Sequence, residues 1–235
     1  NQVGQKVWFD DFNLEEYWVK SYERIEAGEI EDFILIDGSL PELVKASNPS
    51  TPSISGGCSG GIDKGEAGDD KCFYLASPRD KRWNGGVVNP ESIEIYFSLP
   101  SEADKVEIEI GYLEGRYHTR QFDIYLDDAK IESIKKPLEE NRENKLKDIK
   151  MRVTFIEGVK RPSYHTLRII QSDWWGCTLI DAVKIRGKDI KLLNPENLSV
   201  ISDEEYKERI LSKVPHLPED FQLPEGCIGF DFGTP

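Results

Sequence analysis

The sequence predicts an all-β sandwich of two stacked sheets, followed by a short C-terminal helix and an extended linker. Three observations predict it. Within residues 92–187, short runs alternate apolar and polar side chains with a period of two, the pattern of strands with one buried face. Turn-forming clusters of Gly, Pro, Asn, Asp and Ser separate these runs at short intervals, as in a sandwich. The third is the run 178–187, where Leu179, Val183 and Ile185 keep the period and Asp181 stands in line with them. A carboxylate on an inward strand face is costly unless a cation or a hydrogen-bond cluster holds it, so this exception points to an ion-stabilised sandwich.

The elements follow in order. Lys6-Val7-Trp8-Phe9, Tyr17-Trp18-Val19 and Phe33-Ile34-Leu35-Ile36 read as short strands separated by acidic turns. Residues 47–61, rich in Ser, Pro and Gly, form a loop that continues through Asp63, Glu66, Asp69 and Asp70. A strand resumes at Phe73-Tyr74-Leu75-Ala76, and residues 77–86 are an exposed loop carrying Trp83 and Asn84. Strands follow over 93–99, 105–112 and 121–126, the last leading into an Asp127-Asp128 turn, with two more over 150–156 and 165–171. The Lys- and Glu-rich stretch 135–149 reads as a solvated helical insertion or an extended loop. Beyond Gly187, Ser202 with Glu205 three residues later makes a capping box. Tyr206, Ile210, Leu211 and Val214 then follow at helical spacing. Pro215, Pro218 and Pro224 mark the linker, and 229–235 reads as the opening strand of a further module. The expected division is a sandwich over 1–190 and a helix-containing linker over 191–235.

Composition narrows the function classes. The formal charge of −14 repels phosphate backbones and no Lys/Arg cluster offsets it, which argues against nucleic-acid and anionic-membrane partners. No apolar run approaches the roughly 18 residues of a membrane span, so no membrane insertion is expected. The chain opens at Asn1 with neither an initiator Met nor a leader, as expected of a mature or excised fragment. The four cysteines, at 58, 72, 177 and 227, lack metal-site spacing. Cys58 and Cys72 flank a Gly- and Asp-rich loop and read as a local disulfide of an exported protein, worth roughly 3 kcal/mol in the chain-entropy model. Cys177 and Cys227 then pair by elimination. The alternative is a pair of buried reduced thiols in a cytosolic protein.

A family resemblance emerges from specific residues. Gly85-Gly86, the strand ending in Leu99-Pro100 and the strand 106–112 form one half of the pattern. The other half is Phe122–Leu126 with Asp127-Asp128, then Tyr164-His165-Thr166-Leu167-Arg168-Ile169, then Leu179-Ile180-Asp181-Ala182-Val183. Together these resemble the galactose-binding-like jelly roll of family 6 and family 35 carbohydrate-binding modules, over roughly residues 83–187. The resemblance implies a jelly-roll β-sandwich, a structural calcium beside the last strand, and sugar bound by loops at one end or on one face. For the calcium it implies ligands from a short first strand, to which Asp10-Asp11 is the nearest match, joining Asp181. Calcium takes six to eight hard oxygens, which converging carboxylates and carbonyls supply. The simpler reading of Asp181 is a salt bridge to a neighbouring Arg or Lys.

For sugar, Trp174 and Trp175 lie in the loop before the last strand, and adjacent strand residues point oppositely, so at least one indole is expected to be exposed. Trp83 with Asn84, and Tyr117 with Arg116 and Arg120, lie on other loops that could converge with it. A stacking ring flanked by planar hydrogen-bonding groups suits a polysaccharide or oligosaccharide, and the arginines favour an acidic one. Catalytic residues are expected to be none: Glu29-Ile30-Glu31-Asp32 and Glu107-Ile108-Glu109 match no glycosidase arrangement, and alternating Glu more simply gives a solvated sheet face. The expected function is therefore a non-catalytic carbohydrate-binding module that targets a larger enzyme, secreted or at the cell surface, to its glycan. The alternatives are a jelly-roll polysaccharide lyase or glycoside hydrolase, and a cell-surface interaction domain without a sugar partner.

Overall fold

The computed structural model describes residues 19–47, 53–56, 71–76, 92–114, 121–135, 145–159, 161–162, 164–172 and 177–213. In chain order the strands are β1 (Val19–Arg24), β2 (Phe33–Asp37), β3 (Lys45–Ala46), β4 (Ser53–Gly56), β5 (Lys71–Ala76), β6 (Ser92–Ser98) and β7 (Lys105–Glu114). They continue as β8 (Gln121–Leu126), β9 (Ala129–Lys135), β10 (Lys145–Phe155), β11 (His165–Gln171), β12 (Cys177–Arg186) and β13 (Lys191–Leu192), and helix α1 is Asp203–Lys213. One sheet runs β1-β10-β7-β12-β5-β4, with β2 also on β12; the other runs β13-β6-β11-β8-β9, with β3 on β6. Within this frame the eight strands β5 to β12 give the orders β5-β12-β7-β10 and β6-β11-β8-β9. Those are two interlocked Greek keys, the jelly roll.

The alternation in sequence decides which side chains meet between the sheets. Val106, Ile108 and Ile110 of β7 join the core while Glu107 and Glu109 project from the other face. Ile93, Ile95 and Phe97 of β6 and Leu167 and Ile169 of β11 face them from the second sheet. The β8–β9 hairpin closes in two residues, Asp127 (φ 50°) and Asp128 (φ 66°), the doubly left-handed turn that follows the twist of its strands.

Several regions differ from the sequence expectation: Ser53–Gly56, inside the stretch 47–61 read as a loop, is β4 on β5, and Ala129–Lys135, where no strand was expected, is β9 on β8. Residues 145–149, read as a helical insertion or loop, open β10 in register with β7, Leu146 opposite Leu113. Along β12 the register against β7 shifts between Ile180, opposite Tyr112, and Val183, opposite Ile110. This bulge breaks the period of two. Leu179 lies in a small satellite cluster with Cys72, Leu113 and Cys177, while Val183 and Ile185 lie in the main core. Asp181 is therefore not in line with all three, as the regular pattern implied; it stands within the bulge. Finally, the chain stays on the sandwich past residue 190, where the linker was expected to begin: β13 pairs with β6, and Leu192 and Ile201 join the core.

Candidate functional site

Asp181 is completely buried. It stands where β12 changes partners, paired with β5 up to Ile180 and with β2 from Ala182 onward. Bulges re-aim side chains, and this one sits at that junction. β2 brings a second acid that the sequence reading missed. Asp37 is opposite Ala182, is also completely buried, and its Oδ1 accepts the Ser39 amide at 2.7 Å. The Gly38 amide donates to the Asp181 carbonyl at 3.0 Å, which fixes the two acids on neighbouring rungs. The Ser39 hydroxyl beside them is buried and without a hydrogen-bond partner. Two buried carboxylates, a hydroxyl and the carbonyls of an irregular strand are the hard oxygen donors that could hold calcium. Among the described residues no three His, Cys, Asp or Glu side chains gather at one point, and Asp10 and Asp11 lie outside the described residues.

The sugar-site candidates Trp83, Asn84, Arg116, Tyr117, Arg120, Trp174 and Trp175 also lie outside the described residues, but the strand ends that carry their loops do not. Ala76, where β5 ends, pairs with Cys177, where β12 begins. Gln171 at the end of β11 pairs with Phe122, Ser92 at the start of β6 pairs with Ile170, and the Ser172 amide donates to the Gln121 carbonyl at 3.3 Å. The roots of the segments 77–91, 115–120 and 172–176 therefore share one end of the sandwich. Asp181 sits on β12 four residues from the Cys177 root.

The acid-rich strand β7 is not a solvated face. Glu107 is only 2% exposed, because the segment ahead of β2 crosses over it. Its Oε2 accepts the amides of Glu29 at 2.8 Å and Ile30 at 3.2 Å, and its Oε1 accepts Arg152 Nε and Nη2 at 3.0 and 2.7 Å. Gly28 fits there for lack of a side chain, since a Cβ would come within 2.7 Å of the Arg186 guanidinium. Burial pushes the Glu107 carboxyl up, but Arg152 and the two amides outweigh it and hold the group below the usual carboxylate value. Glu109 is paired with Lys150 at 3.4 Å. These acids are occupied in holding the sheet and the crossing segment together, not presented as a general acid and base.

The cysteines divide. Cys72 and Cys177 are buried in the satellite cluster, while Cys58 and Cys227 lie outside the described residues. Cys177, expected to pair with Cys227, carries a buried thiol. Its place in an apolar cluster with Leu179 and Leu113 satisfies it as a small hydrophobe.

No protein-family model and no curated protein matches this chain. Solved structures do. A family 35 carbohydrate-binding module from Cellvibrio japonicus Abf62 aligns with 68% of this chain and 97% of its own, at 7% identity and a TM-score of 0.41. A family 35 module from an environmental isolate aligns with 43% of this chain and 69% of its own, at 16% identity and a TM-score of 0.33. The family 35 module of Paenibacillus barcinonensis aligns with 72% and 99%, at 14% identity and a TM-score of 0.27. These three solved structures are carbohydrate-binding modules of family 35, and a GH115 4-O-methyl-alpha-glucuronidase also aligns, with 65% of this chain and 17% of its own, at 17% identity and a TM-score of 0.36.

Proposed function

We propose that this chain is a non-catalytic carbohydrate-binding module that brings a larger secreted polysaccharide-degrading enzyme to its glycan. One observation carries the reading. The jelly-roll connectivity sets the roots of three loops at the same end, and those loops hold the stacking and polar residues that sugar recognition needs. An indole of Trp174 or Trp175 offers a flat apolar face to pyranose C–H groups. Trp83, Tyr117 and Asn84 extend that surface, and Arg116 and Arg120 pair with a uronate carboxylate through their planar forks. Calcium, held by Asp181 and Asp37 with main-chain carbonyls and by Asp10 or Asp11, keeps β12 and the loop before it in place. Its role is structural. A Cys58–Cys72 disulfide suits the same exported setting.

The test is binding of neutral and uronate-bearing polysaccharides, read by calorimetry and by intrinsic tryptophan fluorescence. Tight binding that Trp174→Ala or Trp175→Ala removes, with an unchanged far-ultraviolet circular dichroism spectrum, is the expected result. Full affinity in both variants removes the stacking platform. Failure to bind any glycan, with or without calcium, removes the module reading.

A further inference from the structure

We propose that Tyr206 is a latch that makes α1 part of the sandwich. The helix has little reason to persist by itself. It is 11 residues long, and isolated helices of fewer than about 12–15 residues are marginal in water. Its local supports include an N-cap, in which the Glu205 amide donates to Ser202 Oγ at 3.1 Å, and an ion pair between Arg209 and Glu205. The Glu205 carboxylate is thus spent on Arg209 in the next turn.

Further contacts among the described residues dock it. Ile201, just ahead of the cap, is buried in the core, and its amide donates to the Leu192 carbonyl at 2.9 Å. Tyr206 packs its ring against the same core. The Tyr206 hydroxyl donates to the main-chain carbonyl of Leu35 in β2. Leu35 pairs through β2 with Lys184 of β12, so the helix is fastened to the strand next to the Asp37–Asp181 junction. The first turn of α1 is thereby tied to both sheets, to the second through Leu192 and to the first through Leu35. The inference does not depend on what the loops bind.

Amide hydrogen exchange on the full chain, read residue by residue, tests it. In the unaltered protein the amides of α1 exchange at least tenfold more slowly than those of the same peptide in isolation. Tyr206→Ala removes that protection while β6, β7 and β12 stay protected, and it lowers Tm by about 5 °C for a domain of this size. Tyr206→Phe keeps the ring and loses only the bond, so it gives a partial loss confined to α1; it is the deciding variant if Tyr206→Ala fails to fold. Helix amides that exchange at the isolated-peptide rate in the unaltered protein overturn the latch. So does protection that survives both substitutions.

Discussion

Two residue-scale features set the electrostatics, and each has a measurable consequence. Glu107 is a buried acid with four donors. Removing it leaves the Arg152 guanidinium and two amides short of an acceptor, so Glu107→Ala should cost about 2–4 kcal/mol in urea unfolding. Its folded pKa lies below the ordinary value, so the unfolded chain binds its proton more readily. The stabilisation is therefore complete above the ordinary carboxylate pKa and is lost as pH falls through the folded one. Tm measured across that acidic window should drop less steeply in Glu107→Gln than in the unaltered protein; identical slopes would show the carboxylate is not the linked group. The second feature is the pair Asp37 and Asp181. If calcium occupies that junction, a hundredfold excess over Kd adds about 2.7 kcal/mol. That corresponds to roughly 5–10 °C in Tm for a domain of this size. Asp37→Asn or Asp181→Asn should abolish the increment, and a Tm indifferent to chelator would remove the ion.

At the scale of elements, the β8–β9 turn separates backbone strain from side-chain function. Both residues are left-handed, which Asp tolerates and Gly adopts freely. Asp128 is exposed, and among the described residues its carboxylate meets the half-buried Arg168 at 3.3 Å, so Asp128→Gly should gain a few tenths of a kcal/mol or more. Asp127 is different. Its Oδ2 accepts Nδ1 of His165 at 2.6 Å and its Oδ1 the Thr166 amide at 2.8 Å, and His165 is buried between the rings of Phe97 and Phe155. Asp127→Gly should therefore lower stability by about 2 kcal/mol despite the easier backbone. Equal effects at the two positions in thermal melts would contradict this division of labour.

The same elements explain what could be read from sequence. β6, β7, β8 and β11 were legible because each places core residues two apart along much of its length, strictly so in β11, with Leu167 and Ile169 against Thr166 and Arg168. The Asp127-Asp128 turn and the Ser202 cap were legible from local chemistry. β9 was not, because the buried Ile131 and the half-buried Ile134 stand three apart among Lys and Glu residues, with a register shift at Ile131. The opening of β10 was hidden for a similar reason: Lys145, Lys147 and Lys150 imitate a solvated helix, yet they lie on a strand paired with β7. Asp37 follows directly on the run read as a strand over 33–36, and only the pairing of β2 with β12 sets it beside Asp181. Bulges and cross-strand neighbours are tertiary facts, and a period of two carries no mark of either.

At the scale of the whole molecule, the question is where the folding unit ends. In a jelly roll β5 lies beside β12, so the sheet is completed only when residues about a hundred positions apart have met. The chain after β12 belongs to that late assembly. Ile190, Leu192, Leu193 and Ile201 are each less than a tenth exposed. A buried aliphatic side chain contributes about 1.5–3 kcal/mol, so deleting these four removes an amount comparable with the entire 5–15 kcal/mol that holds a domain folded. Arg161 closes the end of the sandwich remote from the loop roots in a similar way, donating to the carbonyls of Pro100 and Ser101 at 3.0 and 2.6 Å while its guanidinium lies over Phe155. A chain stopped after Gly187 should therefore fail to give a cooperative melt, although every strand of the two Greek keys is still present. A chain stopped after Lys213 should melt in one transition within a few degrees of the full-length protein. If the shorter chain melts cooperatively at an unchanged temperature, then β13 and Ile201 are dressing on a core already complete at Arg186, and the tie between the helix and the sandwich loses its energetic basis.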